Sequence, residues 1–427
     1  MTVFPKLLIL SNDCLSQSTS NGRTLDNFLL GWPKEKLAQF CVRNSAPDFM
    51  VCDQYYYVSD RAALGAFVKG IPAGEKLHIG ENVEETIQKP VARKKRNAIT
   101  MLIRDMVWNS MRWAGKEFYM WVEEFHPEII LLQAGDCGFM LRLARHLAAR
   151  YQIPLVIYNS EAYYFKNYDY FRSKGIAKLA YPLFRRLYCR EFEKTIRMAA
   201  FSVYCCEKLK RDYDSVFGRP SEVIHTATRL CGVQTDKENT PIRISYLGNL
   251  GIGRHEGLIA IGEALQKISL DLKLDVYGCI PNEMVEEAFA SCAGIRYRGF
   301  VNYDEVIKIM TESDILIHTE SFDPFYVEDL KYGFSTKVAD CLAIGRCFLV
   351  YAPEQMACTE YLKTHDAAFV VTQQEQILPV LETLCRKPEA RNRYVDLARR
   401  LAESNHNPER NACRFREIIY ESVRNAL

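Results

Sequence analysis

Short apolar runs alternate with helix-length segments along most of this 427-residue chain, and this alternation limits the possible folds most strongly. Continuous apolar runs fit strands that are buried on both faces. Strands that alternate with helices form parallel sheets covered by helices, so the sequence predicts an α/β protein. The predicted strands are 7–11, 129–133, 155–158, 201–204, 244–247, 272–277, 295–298, 315–318 and 348–351.

The length of the chain and one polar stretch indicate two domains. A chain of 427 residues fits two domains of about 200 residues each. Residues 232–241 have no apolar period, and we interpret them as a linker. The sequence therefore predicts two Rossmann-like, doubly wound domains, 1–231 and 242–407, that face each other across a cleft. Residues 408–427 have helical apolar spacing and are predicted to form a helix that docks at the domain junction.

Composition excludes several classes of protein. The net charge of +2 argues against a nucleic-acid binder, and no apolar run is long enough to span a membrane. The apolar run 7–10 is too short for a signal-peptide core, so we expect a cytoplasmic protein. The 15 cysteines are scattered without a Cys-x-x-Cys pair and are expected to be free thiols. The histidines are isolated, so we expect no metal and no cofactor.

The strongest local motif is 332–345, where a loop with glycine and hydroxyl residues runs directly into a predicted helix. The first N–H groups of a helix lack internal partners and carry partial positive charge, which suits a phosphate. Lys337 would add a cation, and Asp340, one turn later, could accept hydrogen bonds from ribose hydroxyls. An ordinary helix capped by Ser335 or Thr336 explains this stretch equally well.

A second motif follows the predicted strand 244–247. It contains Gly248, Asn249, Gly253 and Arg254, runs to Gly257 and continues into a predicted helix. Glycine allows close approach of a ligand to the backbone, and an arginine can bind a diphosphate through two N–H groups. The glycine spacing is neither that of a dinucleotide fingerprint nor that of a P-loop, so this motif alone is weak evidence for phosphate binding.

Five parts of the C-terminal half, in order, resemble the large retaining glycosyltransferase family usually called family four, which has the GT-B fold. This resemblance implies a nucleotide-sugar donor and retention of configuration. It implies that the base and ribose lie against Phe300, Val301 and Asp340. It also implies that Arg254, Lys337 and the amides of Ser335 and Thr336 bind the diphosphate. The five parts are 248–254, 274–278, 298–301, 313–319 and 340–345.

The sequence also departs from the family pattern. Tyr332 stands where the family has the first of two glutamates, Asn249 stands where an arginine is common, and 320–330 looks like an insertion. The Gly-Phe-Ser-Thr-Lys variant at 333–337 resembles a branch found among bacterial surface-polysaccharide enzymes. These departures leave the sugar and the acceptor open.

The N-terminal half resembles the family less closely. Gly22 and Arg23 follow the first strand and fit the family's glycine loop, which faces the donor diphosphate, although a simple Asn-Gly turn is an equal alternative. Glu161 follows the strand 155–158, near the place where many relatives carry a histidine. It would orient the acceptor or stabilise developing positive charge, or it is simply an exposed glutamate.

A basic and aromatic stretch suggests a further partner. Residues 89–116 contain eight basic residues and one acid, with tryptophans at 108, 113 and 121, and 166–197 is similar. Such stretches suit an anionic membrane or a lipid-diphosphate acceptor; a solvated basic face over a tryptophan core is the alternative. No nucleic-acid motif accompanies the charge. The basic residues are Lys89, Arg93, Lys94, Lys95, Arg96, Arg104, Arg112 and Lys116.

Together these features predict a glycosyltransferase that moves a sugar from a nucleotide-sugar to a saccharide or lipid-linked acceptor in surface-polysaccharide biosynthesis. We expect it in the cytoplasm, with peripheral attachment to the inner face of the plasma membrane as one option. A sugar-nucleotide epimerase is an alternative that the isolated histidines disfavour. A non-catalytic glycosyltransferase-like scaffold remains open because of Tyr332.

Overall fold

A computed structural model describes residues 4–15, 20–42, 47–77, 96–230, 232 and 239–426. The chain divides into two compact units. The first comprises Met1–His225 with Pro408–Leu427, and the second comprises Thr226–Asn407. The division thus precedes the predicted linker 232–241, most of which lies outside the described residues.

The first unit is built on an eight-stranded sheet. Its strands are β1 (Leu7–Leu10), β2 (Leu37–Cys41), β3 (Gln54–Tyr57), β4 (Glu75–Leu77), β5 (Ile129–Ala134), β6 (Leu155–Asn159), β7 (Phe201–Tyr204) and β8 (Ser221–Val223). Their order is β4-β3-β2-β1-β5-β6-β7-β8, and all pairs are parallel except β3 with the edge strand β4. The central strands β1 and β5 are fully buried, which explains their continuous apolar sequence.

Helices connect the strands of the first unit. They are α1 (Ser20–Phe28), α2 (Asp60–Lys69), α3 (Ala98–Asn109), α4 (Lys116–Phe125), α5 (Gly138–Tyr151), α6 (Ile176–Met198) and α7 (Glu207–Phe217). The last helix of the chain, Pro408–Arg424, also belongs to this unit and packs on α1, β5 and β6. Its buried face contains Phe415, which stacks on Phe28 with ring centroids 5.1 Å apart. The predicted apolar face of this helix therefore contacts the core of the first unit.

The second unit has a six-stranded parallel sheet. Its strands are β9 (Ile244–Leu247), β10 (Leu274–Tyr277), β11 (Ile295–Gly299), β12 (Ile315–Thr319), β13 (Cys347–Tyr351) and β14 (Phe369–Val371). The order β11-β10-β9-β12-β13-β14 reverses direction between β9 and β12. In open parallel sheets, ligands bind beyond the strand ends at this switch point. The prediction of two doubly wound α/β units is confirmed.

Helices cover the sheet of the second unit. They are α8 (Arg254–Ile268), α9 (Glu283–Ser291), α10 (Tyr303–Glu312), α11 (Pro324–Leu330), α12 (Thr336–Ala343), α13 (Ala357–Thr364), α14 (Ile377–Arg386), α15 (Pro388–Arg391) and α16 (Val395–Asn405), so that Pro408–Arg424 is α17. The segment 320–330, which looks like an insertion in the sequence, forms the turn after β12 and α11.

The tryptophans of the basic segment belong to the core of the first unit. Trp108, Trp113 and Trp121 are 1%, 1% and 2% exposed. Trp113 stacks on Phe40 and Trp108 on Phe139, with ring centroids 5.3 and 4.5 Å apart. These rings are unavailable to a membrane, so the expectation that they help to bind one is wrong, and the alternative of a tryptophan core is correct for this segment. Lys89, Arg93, Lys94 and Lys95 lie outside the described residues.

The cysteines and the helices of the described residues bear on two further expectations, free thiols and the absence of a membrane-spanning segment. The cysteines among them are free thiols, and most are buried, in agreement with the sequence-based prediction. In the parts of the chain that the structure describes, no helix combines the length and apolarity needed to cross a membrane.

We predict that Phe415→Ala lowers the free energy of unfolding of the first unit by about 3–5 kcal/mol, because it leaves a cavity beside Phe28. All four tryptophans lie in this unit, so urea denaturation followed by tryptophan fluorescence reports on it alone. Tyr420→Ala is the matched control, since Tyr420 lies on the same helix and is half exposed. Equal destabilisation by both variants would contradict the packing of α17.

Candidate functional site

The glycine-rich turn after β9 lies at the switch point of the second unit. Gly248 follows β9, and α8 begins after Gly253. A Cβ on Gly253 would overlap Ser321 Oγ, just beyond the end of β12, and Gly253 has a φ of 77°, which favours glycine. A Cβ on Gly257 would likewise overlap Thr319 Oγ1. These glycines therefore allow the turn to pack directly against the end of β12.

Arg254 and Glu320 form a buried ion pair across the switch point. Arg254 Nε donates to Glu320 Oε2 at 2.9 Å, and Nη2 donates to Oε1 at 2.7 Å. The two residues are 8% and 4% exposed. Burial opposes ionisation of the carboxyl group, but His318 and Arg254 outweigh it and hold the pKa of Glu320 at about 2. Glu320 is therefore ionised at neutral pH and orients the guanidinium through two hydrogen bonds.

The same carboxylate has a second neighbour, His318. The distance from His318 Nε2 to Glu320 Oε1 is 3.1 Å. Burial lowers the pKa of His318, so the imidazole is neutral at neutral pH. Sequence reasoning missed both residues as site candidates. The available signal was an acid directly after a buried strand at the switch point.

His318, Glu320 and Cys358 have potential ligand atoms within 4.8 Å of one another, a set of residue types that zinc uses. However, both Glu320 oxygens accept hydrogen bonds from Arg254. The nearby positive charge of Arg254 also opposes a divalent cation. We therefore interpret this cluster as an ion-pair network rather than a metal centre.

Lys337 lies over Gly248, on the other side of the same turn. A Cβ on Gly248 would overlap Lys337 Nζ, so this glycine makes room for the ammonium group. Nζ also lies 5.5 Å from the centre of the Tyr246 ring, a cation–π distance. Burial, with the neighbouring charge of Arg254, lowers the pKa of Lys337 to about 8. An anionic ligand at this point would stabilise the protonated ammonium.

The remaining predicted donor residues of this unit lie at strand ends or on α12. Ser335 precedes α12 and makes no side-chain capping hydrogen bond, while Thr336 is the first helical residue. Asp340 accepts a hydrogen bond from Thr228 Oγ1 at 2.6 Å. Phe300 follows β11 and is 73% exposed, and Val301 beside it is partly buried.

Asn249 acts within its own turn. Its Oδ1 accepts a hydrogen bond from Gly251 N at 2.8 Å, and its carbonyl accepts one from the Tyr246 hydroxyl at 2.7 Å. The two hydrogen bonds give Asn249 a structural role in the shape of the glycine-rich turn.

Tyr332, which stands at the position of the first family glutamate, is buried, with 9% of its surface exposed.

The other predicted site residues belong to the first unit. Gly22 is buried and Arg23 is partly buried on α1. Glu161 follows β6, is 40% exposed and lies 3.9 Å from Lys166 Nζ. The structure thus brings Gly248, Gly253, Arg254 and Lys337 together within the second unit, whereas Gly22, Arg23 and Glu161 are positions of the first unit.

Comparison with known proteins agrees with this architecture. Residues 260–417 match the family model described as "Glycosyl transferase-like". The sequence matches no curated protein. The whole chain is similar in fold to solved structures of glycosyltransferases, all at low sequence identity. The prediction of a GT-B fold is confirmed, and the glycosyl transferase-like match agrees with the predicted enzyme class.

Three solved structures illustrate the similarity. HepE of Anabaena in complex with UDP has a TM-score of 0.65 at 10% identity, covering 97% of this chain and 100% of that one. Sucrose-phosphate synthase of Thermosynechococcus elongatus has a TM-score of 0.61 at 9% identity, covering 99% of each chain. WaaG, a glycosyltransferase involved in lipopolysaccharide biosynthesis, has a TM-score of 0.53 at 10% identity, covering 96% and 99%. HepE has also been solved with UDP-glucose.

We predict that Glu320→Gln lowers the free energy of unfolding by about 3 kcal/mol at pH 7, because it leaves the buried charge of Arg254 without its counter-ion. The folded-state pKa of Glu320 lies below its ordinary value of 4.5. Its stabilisation is therefore complete above pH 4.5 and is lost as the pH falls towards 2. Urea denaturation followed by circular dichroism should show the difference between wild type and variant shrinking over this range.

Glu328→Gln is the matched control, because the Glu328 side chain is 43% exposed and its ion pair among the described residues is with Lys331, one turn away. We expect it to change stability by less than about 0.5 kcal/mol. An equally small effect of Glu320→Gln would mean that the buried pair does not stabilise the switch point.

Proposed function

We propose that this protein is a glycosyltransferase that uses a nucleotide-sugar donor, with the donor diphosphate at the β9–β12 switch point. The observation that carries the proposal is the position of Lys337. Its ammonium lies over the backbone of Gly248, next to the Arg254–Glu320 pair. A partly buried cation whose pKa is depressed, in the space left by the missing side chain of a glycine, is well suited to a phosphate.

The other residues that we assign to donor binding lie after strands or on α12 in the same unit. We assign the base to the exposed Phe300 with Val301, and the ribose to Asp340. Lys337, Arg254 and the amides of Ser335 and Thr336 would hold the diphosphate, with Gly248 and Gly253 giving close backbone approach. Gly22 and Arg23 of the first unit remain candidates for a further diphosphate contact. Because HepE is solved with UDP and UDP-glucose, uridine nucleotides are the first donors to test.

The chemistry assigned to these residues is stabilisation of the leaving group. When the bond between the anomeric carbon and the phosphate oxygen breaks, negative charge develops on the nucleoside diphosphate. The ammonium of Lys337 would be aligned in advance to stabilise that charge, with the guanidinium of Arg254, held by Glu320, beside it. In the retaining reaction that we propose, the acceptor hydroxyl attacks from the same face and its proton passes to the departing phosphate. This route needs no protein nucleophile and no metal.

We assign acceptor binding to the first unit, with Glu161 as the candidate that orients the acceptor hydroxyl. A saccharide or lipid-linked acceptor in surface-polysaccharide biosynthesis fits the Gly-Phe-Ser-Thr-Lys variant at 333–337. The fold similarity to WaaG, which is involved in lipopolysaccharide biosynthesis, also supports a saccharide or lipid-linked acceptor. Cytoplasmic location is part of this proposal.

We predict that UDP or a UDP-sugar stabilises the folded protein by about 2.7 kcal/mol at a concentration of 100 Kd. Thermal denaturation against a panel of nucleotides and nucleotide-sugars measures this effect. Release of UDP by the purified protein in the presence of acceptor saccharides then tests catalysis. Donor binding without any transfer or hydrolysis would favour a non-catalytic scaffold, and no response to any nucleotide would overturn the donor site.

We predict that the dissociation constant for UDP rises about tenfold between pH 7 and pH 9, because Lys337, with a pKa near 8, loses its proton over that range. Lys337→Met should weaken binding at pH 7, abolish most of this pH dependence and lower turnover by roughly 100-fold. Isothermal titration calorimetry with UDP at several pH values measures the dissociation constants of both proteins, and steady-state kinetics measures turnover.

Lys331→Met is the matched control, since Lys331 lies just before α12 but pairs with Glu328. It should retain the pH dependence of the wild type. A Lys337→Met variant that binds UDP with the pH dependence of the wild type would show that the diphosphate lies elsewhere.

A further inference from the structure

Helix α6 carries a row of exposed apolar side chains. Ile176, Leu179, Leu183 and Leu187 are 76%, 79%, 53% and 41% exposed. Their spacing of three and four residues places them along one side of the helix. Single exposed apolar residues are ordinary on a protein surface, but an aligned row on one helix marks an interaction site. We call this row the α6 stripe.

The opposite side of α6 determines which way the stripe points. Tyr181, Phe184, Tyr188 and Phe192 are buried, and the helix packs against α5 and α3. The rotation of α6 is therefore set by its aromatic core face. As a consequence, the α6 stripe points outward to solvent.

Positive charge surrounds the stripe. Residues 170–190 contain six lysines and arginines and no aspartate or glutamate. Lys178, Arg186 and Arg190 are exposed on α6 itself, and none of them forms an ion pair with another described residue. These charges are free to contact an external anion, and they repel any other positively charged surface.

The neighbouring helix α3 also carries exposed apolar side chains. It packs beside α6 and exposes Ile103 and Met106, which are 50% and 55% accessible to solvent. Two adjacent helices of the first unit therefore present apolar side chains to solvent, with basic residues along the longer one.

We infer that the α6 stripe, with Lys178, Arg186 and Arg190, binds the surface of an anionic lipid membrane. An amphipathic helix with leucines on one face and basic residues beside them lies in the headgroup region, where the leucines enter the acyl boundary and the bases contact anionic headgroups. Pairing of two copies through the stripe would bring their basic residues together, so charge complementarity favours an anionic lipid surface. The inference does not depend on the proposed donor site.

The test is co-sedimentation of the full-length protein with vesicles. Wild type should bind vesicles of phosphatidylglycerol and phosphatidylcholine, bind phosphatidylcholine alone far more weakly, and dissociate as salt rises. Leu179→Ser with Leu183→Ser should weaken binding about tenfold or more, since two side chains no longer enter the membrane. Lys178→Ser with Arg186→Ser and Arg190→Ser should weaken binding to the anionic vesicles by roughly 100-fold.

The matched control is Leu270→Ser with Leu397→Ser, which removes two exposed leucines of the second unit and should leave vesicle binding unchanged. Thermal denaturation of each variant verifies folding, and the charge variant tests the surface even if the leucine variant is destabilised. Absence of binding by wild type, or equal binding by wild type and both α6 variants, would overturn the inference. A dimer in solution that Leu179→Ser with Leu183→Ser abolishes would also overturn it, because a second copy would then occupy the stripe.

Discussion

The buried ion pair between Arg254 and Glu320 is the interaction on which the candidate site depends. It joins the first turn of α8 to the residue that follows β12, across the point where the strand order reverses. Two charges in so buried a position are stable only if their hydrogen bonds are well formed. The pair therefore defines the geometry of the switch point before any ligand binds.

The other features of the site follow from this pair. The turn after β9 lies close against the end of β12. Ser321 and Thr319 therefore occupy the space that a side chain at Gly253 or Gly257 would need. Gly248 leaves the space that the ammonium of Lys337 occupies. Glu320 neutralises the charge of Arg254, so Lys337 supplies the net positive charge of the site. In the proposed donor site, the ion pair therefore orients the turn, and Lys337 is the main group that would bind the diphosphate.

Sequence patterns predicted most of the central strands and both doubly wound units, because strands buried on both faces are continuously apolar. They missed five strands. One is β2, whose apolar run is interrupted by Gln39, and the others are β3, β4, β8 and β14, which have only three or four residues and lie at or next to an edge of their sheet. Glu320 was missed as a site residue because its partner is 66 residues away and the contact arises only from the pairing of β9 with β12. The burial of Trp108 could not be predicted from composition, because Arg112 and Lys116 nearby in the sequence are exposed while the ring itself lies on the inner side of α3.

A crystal structure of the protein with bound UDP would locate the diphosphate relative to the β9–β12 switch point. We expect a diphosphate oxygen about 3 Å from Lys337 Nζ, over Gly248, with both hydrogen bonds between Arg254 and Glu320 intact. A diphosphate bound away from the β9–β12 switch point, or an Arg254 that leaves Glu320 to reach the phosphate, would contradict this expectation.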